Sequence, residues 1–279
     1  MKRLWSYFIG DIHGCLEEFL KLEEKIQNHA KKNRVRPFII SVGDLIDRGP
    51  DSKGVVQHFI KGRKEGTHDA ILGNHEAFLL CTLQCFAPSF SRAFQKKFPP
   101  WLYTFKQRFE EGELGQKMSW EEYSMTLRTL WTGQGGRETL ISYGLDPENP
   151  DSWFLPKDHM NFYLSLRPFL ETKKAIVTHG LPLQDSLSSV RSFFETKKRA
   201  SSHVKECVYS LLWNRLLPGV TKILGKTLVS GHTPLSHIKR HRKEGVLQID
   251  TGCYAGQRLS AWCSEKDNII FVRAKKKYF

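Results

Sequence analysis

Apolar positions along this chain switch between a strand period and a helix period, and the switches mark its elements. Leu4–Ile9 is mostly apolar and aromatic and predicts a buried strand, after which Leu16, Phe19, Leu20 and Ile26 recur at near-helical spacing until the polar break at 31–36. Residues 37–42 form a second strand pattern. Gly49-Pro50-Asp51-Ser52 carries turn and N-cap chemistry and starts a helix to about Ile60. A short strand at 69–72 follows, then a helix from Glu76 to about Phe86 with Phe78, Leu79, Leu83 and Phe86 apolar. Strand, helix, strand, helix, strand in this order implies right-handed crossovers and a parallel sheet, with the strands' carboxyl ends gathered along one edge.

From Ala87 to about Thr172 the texture changes. Trp101, Trp120, Trp131 and Trp153 stand among scattered charges without strand alternation, which predicts a helical insert at about 87–172 whose aromatics make a small core. The insert leaves beside His75 and returns before His179, so it is placed to roof that edge. Further strands are expected at Ala175–Thr178, Thr227–Ser230, 246–250 and 269–273, with sheets packed face to face between helices. No repeat or low-complexity linker divides the chain, and 279 residues fit a single domain spanning 1–279 with that insert.

The polar residues at the strand ends change the picture from fold to chemistry. Gly10-Asp11-Ile12-His13-Gly14, Gly43-Asp44-Leu45-Ile46-Asp47-Arg48-Gly49 and Gly73-Asn74-His75-Glu76 each follow an apolar run, as do Thr178-His179-Gly180 and Ser230-Gly231-His232. Carboxylate, imidazole and amide oxygen are ligands for divalent cations. Two such ions roughly 3.5–4 Å apart polarise a phosphoryl oxygen and lower the pKa of bound water. Asp11 and His13, at alternate positions of an extended backbone, face one side together. Asp44, on the middle strand, is the natural bridge, and Asn74, His179 and His232 complete the ligands of the second ion, leaving positions open for water or substrate. Arg48, with its planar fork, is the first phosphate clamp and Arg215 of Leu212-Trp213-Asn214-Arg215 the second. Asn74 also borders the phosphate position. His75 sits where a general acid belongs, and Asp47 is the carboxylate to orient it.

The three leading blocks, Gly-Asp-x-His-Gly, Gly-Asp-x-x-Asp-Arg-Gly and Gly-Asn-His-Glu, stand here without mismatch, and by them the chain resembles the PPP family of metallophosphoesterases. That family comprises phosphoprotein phosphatases and their diadenosine-polyphosphate hydrolase relatives. The resemblance implies a calcineurin-like α/β fold, a β-sandwich flanked by helices. It also implies Asp11, His13, Asp44, Asn74, His179 and His232 as metal ligands, Arg48 and Arg215 on phosphate, His75 as acid and Asp47 as its support. Leu212-Trp213-Asn214-Arg215, Gly231-His232-Thr233-Pro234, Ile249-Asp250-Thr251-Gly252-Cys253 and Gly135-Gly136-Arg137-Glu138-Thr139-Leu140 are similar to small bacterial protein phosphatases of this family. Symmetrical dinucleoside-tetraphosphate hydrolases tend to lack the acid in the second block and to end the third in Asp. Asp47 and Glu76 therefore favour hydrolysis of phosphoserine or phosphothreonine in proteins by direct attack of a metal-activated hydroxide, with no covalent phosphoenzyme. Two divalent ions are implied, Mn²⁺ first and Fe or Zn next. The rival reading is a diadenosine tetraphosphate pyrophosphohydrolase, with a nucleotide polyphosphate as substrate. A third, a basic nucleic-acid-binding module with a vestigial metal site, is opposed by the intact ligand set.

Composition adds bounds. The formal net charge is +14, with basic clusters at Lys31-Lys32-Asn33-Arg34, Lys197-Lys198-Arg199, Lys239-Arg240-His241-Arg242-Lys243 and Lys275-Lys276-Lys277. They suit solvated faces or attraction of an anionic substrate, and do not separate the readings. Cys15, Cys81, Cys85, Cys207, Cys253 and Cys263 form no C-x-x-C pair, so reduced thiols and a cytoplasmic location are expected. No stretch has the length of a membrane span.

Overall fold

The structure is a computed structural model that describes residues 3–87, 90–102, 118–183, 185–196, 200–217 and 225–279. The Lys197-Lys198-Arg199 cluster lies outside the described residues.

In chain order the leading half runs β1 (Leu4–Ile9), α1 (Leu16–Lys32), β2 (Arg36–Ser41), α2 (Ser52–Glu65), β3 (His68–Ala70) and α3 (Asn74–Phe86). β1 pairs with β2, and β2 with β3, both in parallel, as the alternating pattern requires. α2 is capped by the Asp51 carboxylate, which accepts from the Gly54 amide, and closes on Gly66 in the left-handed region at φ +68°. It runs five residues past the expected end at Ile60, because Arg63 packs on Phe162 and Arg63 donates to Asp69.

The insert contains α4 (Arg92–Gln95), α5 (Trp120–Trp131), α6 (Arg137–Ser142) and α7 (Lys157–Ser165). Its aromatics do not form a separate core. Trp101, Trp131 and Trp153 are buried in the same apolar cluster as Phe78 of α3 and Phe19 of α1, while Trp120 is exposed. The expected boundary at Thr172 overruns a short strand, β4 (Phe169–Glu171), which pairs antiparallel with β5 (Ala175–Thr178).

Two helices, α8 (Ser186–Thr196) and α9 (Ser202–Trp213), then precede β6 (Thr227–Ser230), β7 (Lys239–His241), β8 (Val246–Gln248), β9 (Arg258–Cys263) and β10 (Asn268–Arg273). Two five-stranded sheets result, ordered β10-β9-β1-β2-β3 and β4-β5-β6-β8-β7. Strand alternation decides what each covers. Phe8, Ile40, Val177, Val229, Leu247 and Trp262 meet between the sheets, whereas Tyr7, Ile9, Ile39 and Ile176 face the helices. Both faces are therefore buried, giving an α/β sandwich flanked by helices. Among the described residues no helix is long and apolar enough to cross a membrane, and all six cysteines are free, with Cys15 and Cys253 fully buried.

Candidate active site

Six parallel strands, β1, β2, β3, β5, β6 and β8, end at the same place, and each is followed within a few residues by a buried polar side chain: Asp11, Asp44, Asn74, His179, His232 and Asp250. Turning so sharply off a strand strains the backbone. His13, Asp44, Asp47, Arg48 and His232 all take positive φ, between +47° and +72°, a conformation that costs on the order of 1–3 kcal/mol per non-glycine residue and concentrates at functional sites. Gly231 is required by close approach, since a Cβ there would lie 2.0 Å from Asp11 Oδ1.

The imidazoles are oriented from behind. His13 and His179 each donate from Nδ1, to the carbonyls of Ile46 (2.8 Å) and Val42 (2.9 Å), and His232 donates from Nε2 to Trp213 (3.1 Å). Their other nitrogens turn inward as lone pairs. Asn74 Oδ1 lies 2.7 Å from His179 Nε2 and 2.9 Å from His232 Nδ1, and Asp44 Oδ2 lies 3.3 Å from His179 Nε2 and 3.5 Å from His13 Nε2. Acceptors converging in this way are satisfied by a cation. Asp44 Oδ2 stands between the two groups of imidazoles, the position of a bridge, while its Oδ1 accepts from the His75 amide. Asp11 accepts the His232 amide on Oδ2, and its buried Oδ1 has no partner among the described residues. With Asp44 close to His13 on one side and to His179 and His232 on the other, the residues present thus fit divalent ions.

Electrostatics gives the same answer. Burial, then Asp250 and Asp44, push the Asp11 carboxyl well above its ordinary range; burial and Asp44 raise Glu76 to about 7. Burial likewise raises Asp250 to about 6. Burial also holds His13 and His232 neutral, His232 at about 2, as ligands must be, whereas at His179 burial is overcome by the Asp44 charge, which raises that imidazole in the absence of metal. A buried acid crowd of this kind wants added positive charge. In metal-free protein the raised Asp11, Glu76 and Asp250 carboxyls contribute stability that is lost as pH rises from about 4.5 to about 7, while the neutral His13 and His232 contribute in the opposite sense as the unfolded imidazoles release their protons. Chelator-treated Glu76→Gln isolates the carboxyl part: its melting temperature should fall less with rising pH than that of wild type, and identical pH profiles would count against the crowding.

Asp47 and His75 meet as expected: His75 donates from Nδ1 to Asp47 Oδ2 at 2.6 Å, leaving Nε2 facing Asp44 and Arg48. What holds Asp47 was not legible in the motifs. Trp131 Nε1 donates to its Oδ2 (3.0 Å) and Thr139 Oγ1 to its Oδ1 (2.6 Å), both from the insert. Gly135, at φ +105°, presses its backbone on Arg48 and accepts the Arg48 amide, and a Cβ there would lie 2.5 Å from that nitrogen. Glu76, noticed only as a family marker, accepts the amides of Gly73, Asp44 and Leu45 and so ties the second block to the third. Tyr254 lies under the Arg48 guanidinium, 4.2 Å from ring to carbon.

Arg48 points into the centre, donating to His13 Nε2 (2.8 Å) and His75 Nε2 (3.0 Å). Arg215 is brought near but not into it. It is exposed after α9, close enough to depress His232, and lines a groove of about 480 Å³ with Leu183, Tyr209 and Trp213.

A symmetrical bis(5'-nucleosyl)-tetraphosphatase of Buchnera aphidicola subsp. Acyrthosiphon pisum (strain Tuc7) is 43% identical over 77 residues, 27% of this chain and only 25% of that relative's length. Another protein of that name, from Shewanella sp. (strain W3-18-1), is 24% identical over 97% of this chain and 98% of its own. A solved structure given the provisional name diadenosine tetraphosphatase superposes with TM-score 0.51 at 19% identity, covering 98% of this chain and 99% of that one, a likeness of fold. Residues 5–243 match the calcineurin-like phosphoesterase family. With most of its length in that match and a ligand set for divalent ions at the shared strand ends, the chain belongs to the calcineurin-like phosphoesterase family and is a metallophosphoesterase.

Proposed function

We propose that the chain is a phosphomonoesterase acting on phosphoserine and phosphothreonine in proteins. One observation carries this: the buried Asp47–His75 pair, with Asp47 fastened by Trp131 and Thr139. A serine or threonine alkoxide is a strongly basic leaving group and gains roughly 10²–10⁴ in rate from a positioned acid. A nucleotide leaving through a phosphoanhydride is weakly basic and gains far less.

In this reading Asp11, His13, Asp44, Asn74, His179 and His232 hold two divalent ions, Mn²⁺ first, which supply Lewis acidity and an activated water. Arg48 and Arg215 bind phosphoryl oxygens, together with the Asn74 position. Asp47 keeps the His75 proton on Nδ1 in the neutral ring and stabilises the imidazolium, so that Nε2 delivers the second proton to the leaving oxygen. Residues 1–279 act as one catalytic unit, with the 87–172 segment bracing the acid. A cytoplasmic location is part of this reading, and the free thiols suit a reducing compartment.

The second reading is symmetrical cleavage of diadenosine tetraphosphate, favoured by the full-length similarity to the Shewanella protein. Turnover of a phosphothreonine peptide and of diadenosine tetraphosphate, measured with Mn²⁺ against an Asp44→Asn background, separates them. Faster peptide hydrolysis is expected; faster nucleotide cleavage would reverse the order.

A further inference from the structure

Away from the strand-end centre, Glu23 of α1, His58 of α2 and His68 at the start of β3 bring one carboxylate and two imidazoles together, their ligating atoms all within 4.8 Å of one another. Glu23 Oε2 lies 2.9 Å from His58 Nε2, and Oε1 lies 3.2 Å from His68 Nε2. The His68 ring is oriented from its other side. Thr67 donates its hydroxyl proton to the Gly62 carbonyl (3.1 Å), so the Thr67 oxygen is left to accept from His68 Nδ1 at 2.9 Å.

This has a direct consequence for Nε2. With the proton on Nδ1, a neutral His68 aims the Nε2 lone pair at a carboxylate oxygen. His68 is 4% exposed, and its Nε2 faces the Glu23 carboxylate at 3.2 Å without the alignment of a hydrogen bond. Two electron-rich atoms facing each other in a buried place require a cation between them, either a proton or a metal ion. Two imidazole nitrogens and a carboxylate are the donor set of a tetrahedral Zn²⁺ site with one open position, and the partial exposure of His58 and Glu23 leaves water a path to that position.

We infer that Glu23, His58 and His68 form a further cation site, taking one divalent ion of borderline softness such as Zn²⁺. Its place in the fold gives it a role. α1 follows the Asp11–His13 loop, α2 follows the Arg48 loop, and β3 leads to Asn74, so the ion clamps together three elements whose opposite ends carry the proposed phosphoesterase residues. Phe19 packs edge-on against both His58 and His68 and shields the clamp on its apolar side.

The test compares full-length Asp44→Asn protein with the same protein carrying His58→Ala or Glu23→Gln, each stripped with chelator, reloaded with Zn²⁺ alone and analysed for metal per chain. Because only the difference is read, the result is independent of what the phosphoesterase centre retains. Both added substitutions are expected to lose one Zn²⁺ per chain while far-UV circular dichroism stays unchanged. Thr67→Val, which removes the oxygen orienting His68, is expected to weaken that ion by roughly 10–100-fold. Equal Zn²⁺ in all proteins, or nitrogen NMR showing His68 protonated on both ring nitrogens in the Zn²⁺-loaded protein, would overturn the inference.

Discussion

Asp44→Asn should lose bound metal and turnover together while the protein stays folded. Asp44 Oδ2 lies between His13 and His179 at 3.5 and 3.3 Å, and Oδ1 accepts the His75 amide. Asparagine preserves the shape but removes the charge and leaves one oxygen where two are used, Oδ2 between the imidazoles and Oδ1 on the His75 amide. Metal-derived charge stabilisation is worth several kcal/mol, so kcat/KM is expected to fall ~10³-fold or more. In metal-free protein the effect on folding is a small loss: burial opposes the Asp44 charge, but His179, His75 and His13 hold that carboxyl well below its ordinary range, so metal-free Asp44→Asn should melt somewhat lower than metal-free wild type although its charge crowds Asp11, Glu76 and Asp250. Metal analysis, kinetics and melting on one preparation distinguish the outcomes. Full metal retention with normal turnover would end the bridging assignment.

His75→Asn is expected to keep its metal and lose turnover according to the leaving group. His75 Nε2 is the only atom of the dyad aimed at the centre, and Nδ1 is committed to Asp47 at 2.6 Å. With phosphothreonine peptide the loss should be roughly 10²–10⁴ in kcat, the usual contribution of a general acid. With p-nitrophenyl phosphate, whose leaving group is already weakly basic, it should be much smaller. Asp47→Asn should show the same leaving-group pattern, because the imidazolium loses its counter-charge while Trp131 and Thr139 still hold the side chain in place. Unchanged peptide hydrolysis by His75→Asn would remove the acid role. Equal small losses on both substrates would favour the nucleotide reading, in which the leaving group needs little help.

How far the sequence reaches depends on how local each cause is. The β1-α1-β2-α2-β3 order, the parallel pairing and the gathering of Asp11, His13, Asp44, Asn74, His179 and His232 at strand ends were legible, because a period-two apolar run and the polar block directly after it are neighbours in the chain. α1 was placed correctly even though Leu20 proves exposed, since Phe19, Leu22 and Ile26 suffice to define its buried face. β9 was missed: Arg258–Cys263 mixes serine and arginine with apolar residues, and only pairing between β1 and β10 buries it on both sides.

The sequence by itself determined the strand-end positions and the kind of chemistry that Asp, His, Asn and Arg bring there. The tertiary structure alone decided the rest: which imidazole nitrogen faces inward, set by the carbonyls of Ile46, Val42 and Trp213; that Glu76 brackets two loops; and that the insert is a brace, with Thr139 reaching Asp47 across 92 residues of chain. The Glu23–His58–His68 cluster belongs to the same class, because its three members share no sequence spacing and meet only where α1 and α2 pack beside β3. Hydrogen-bond direction and charge crowding depend on distances in space, and a linear pattern records those only when the partners lie within a turn or a strand of each other.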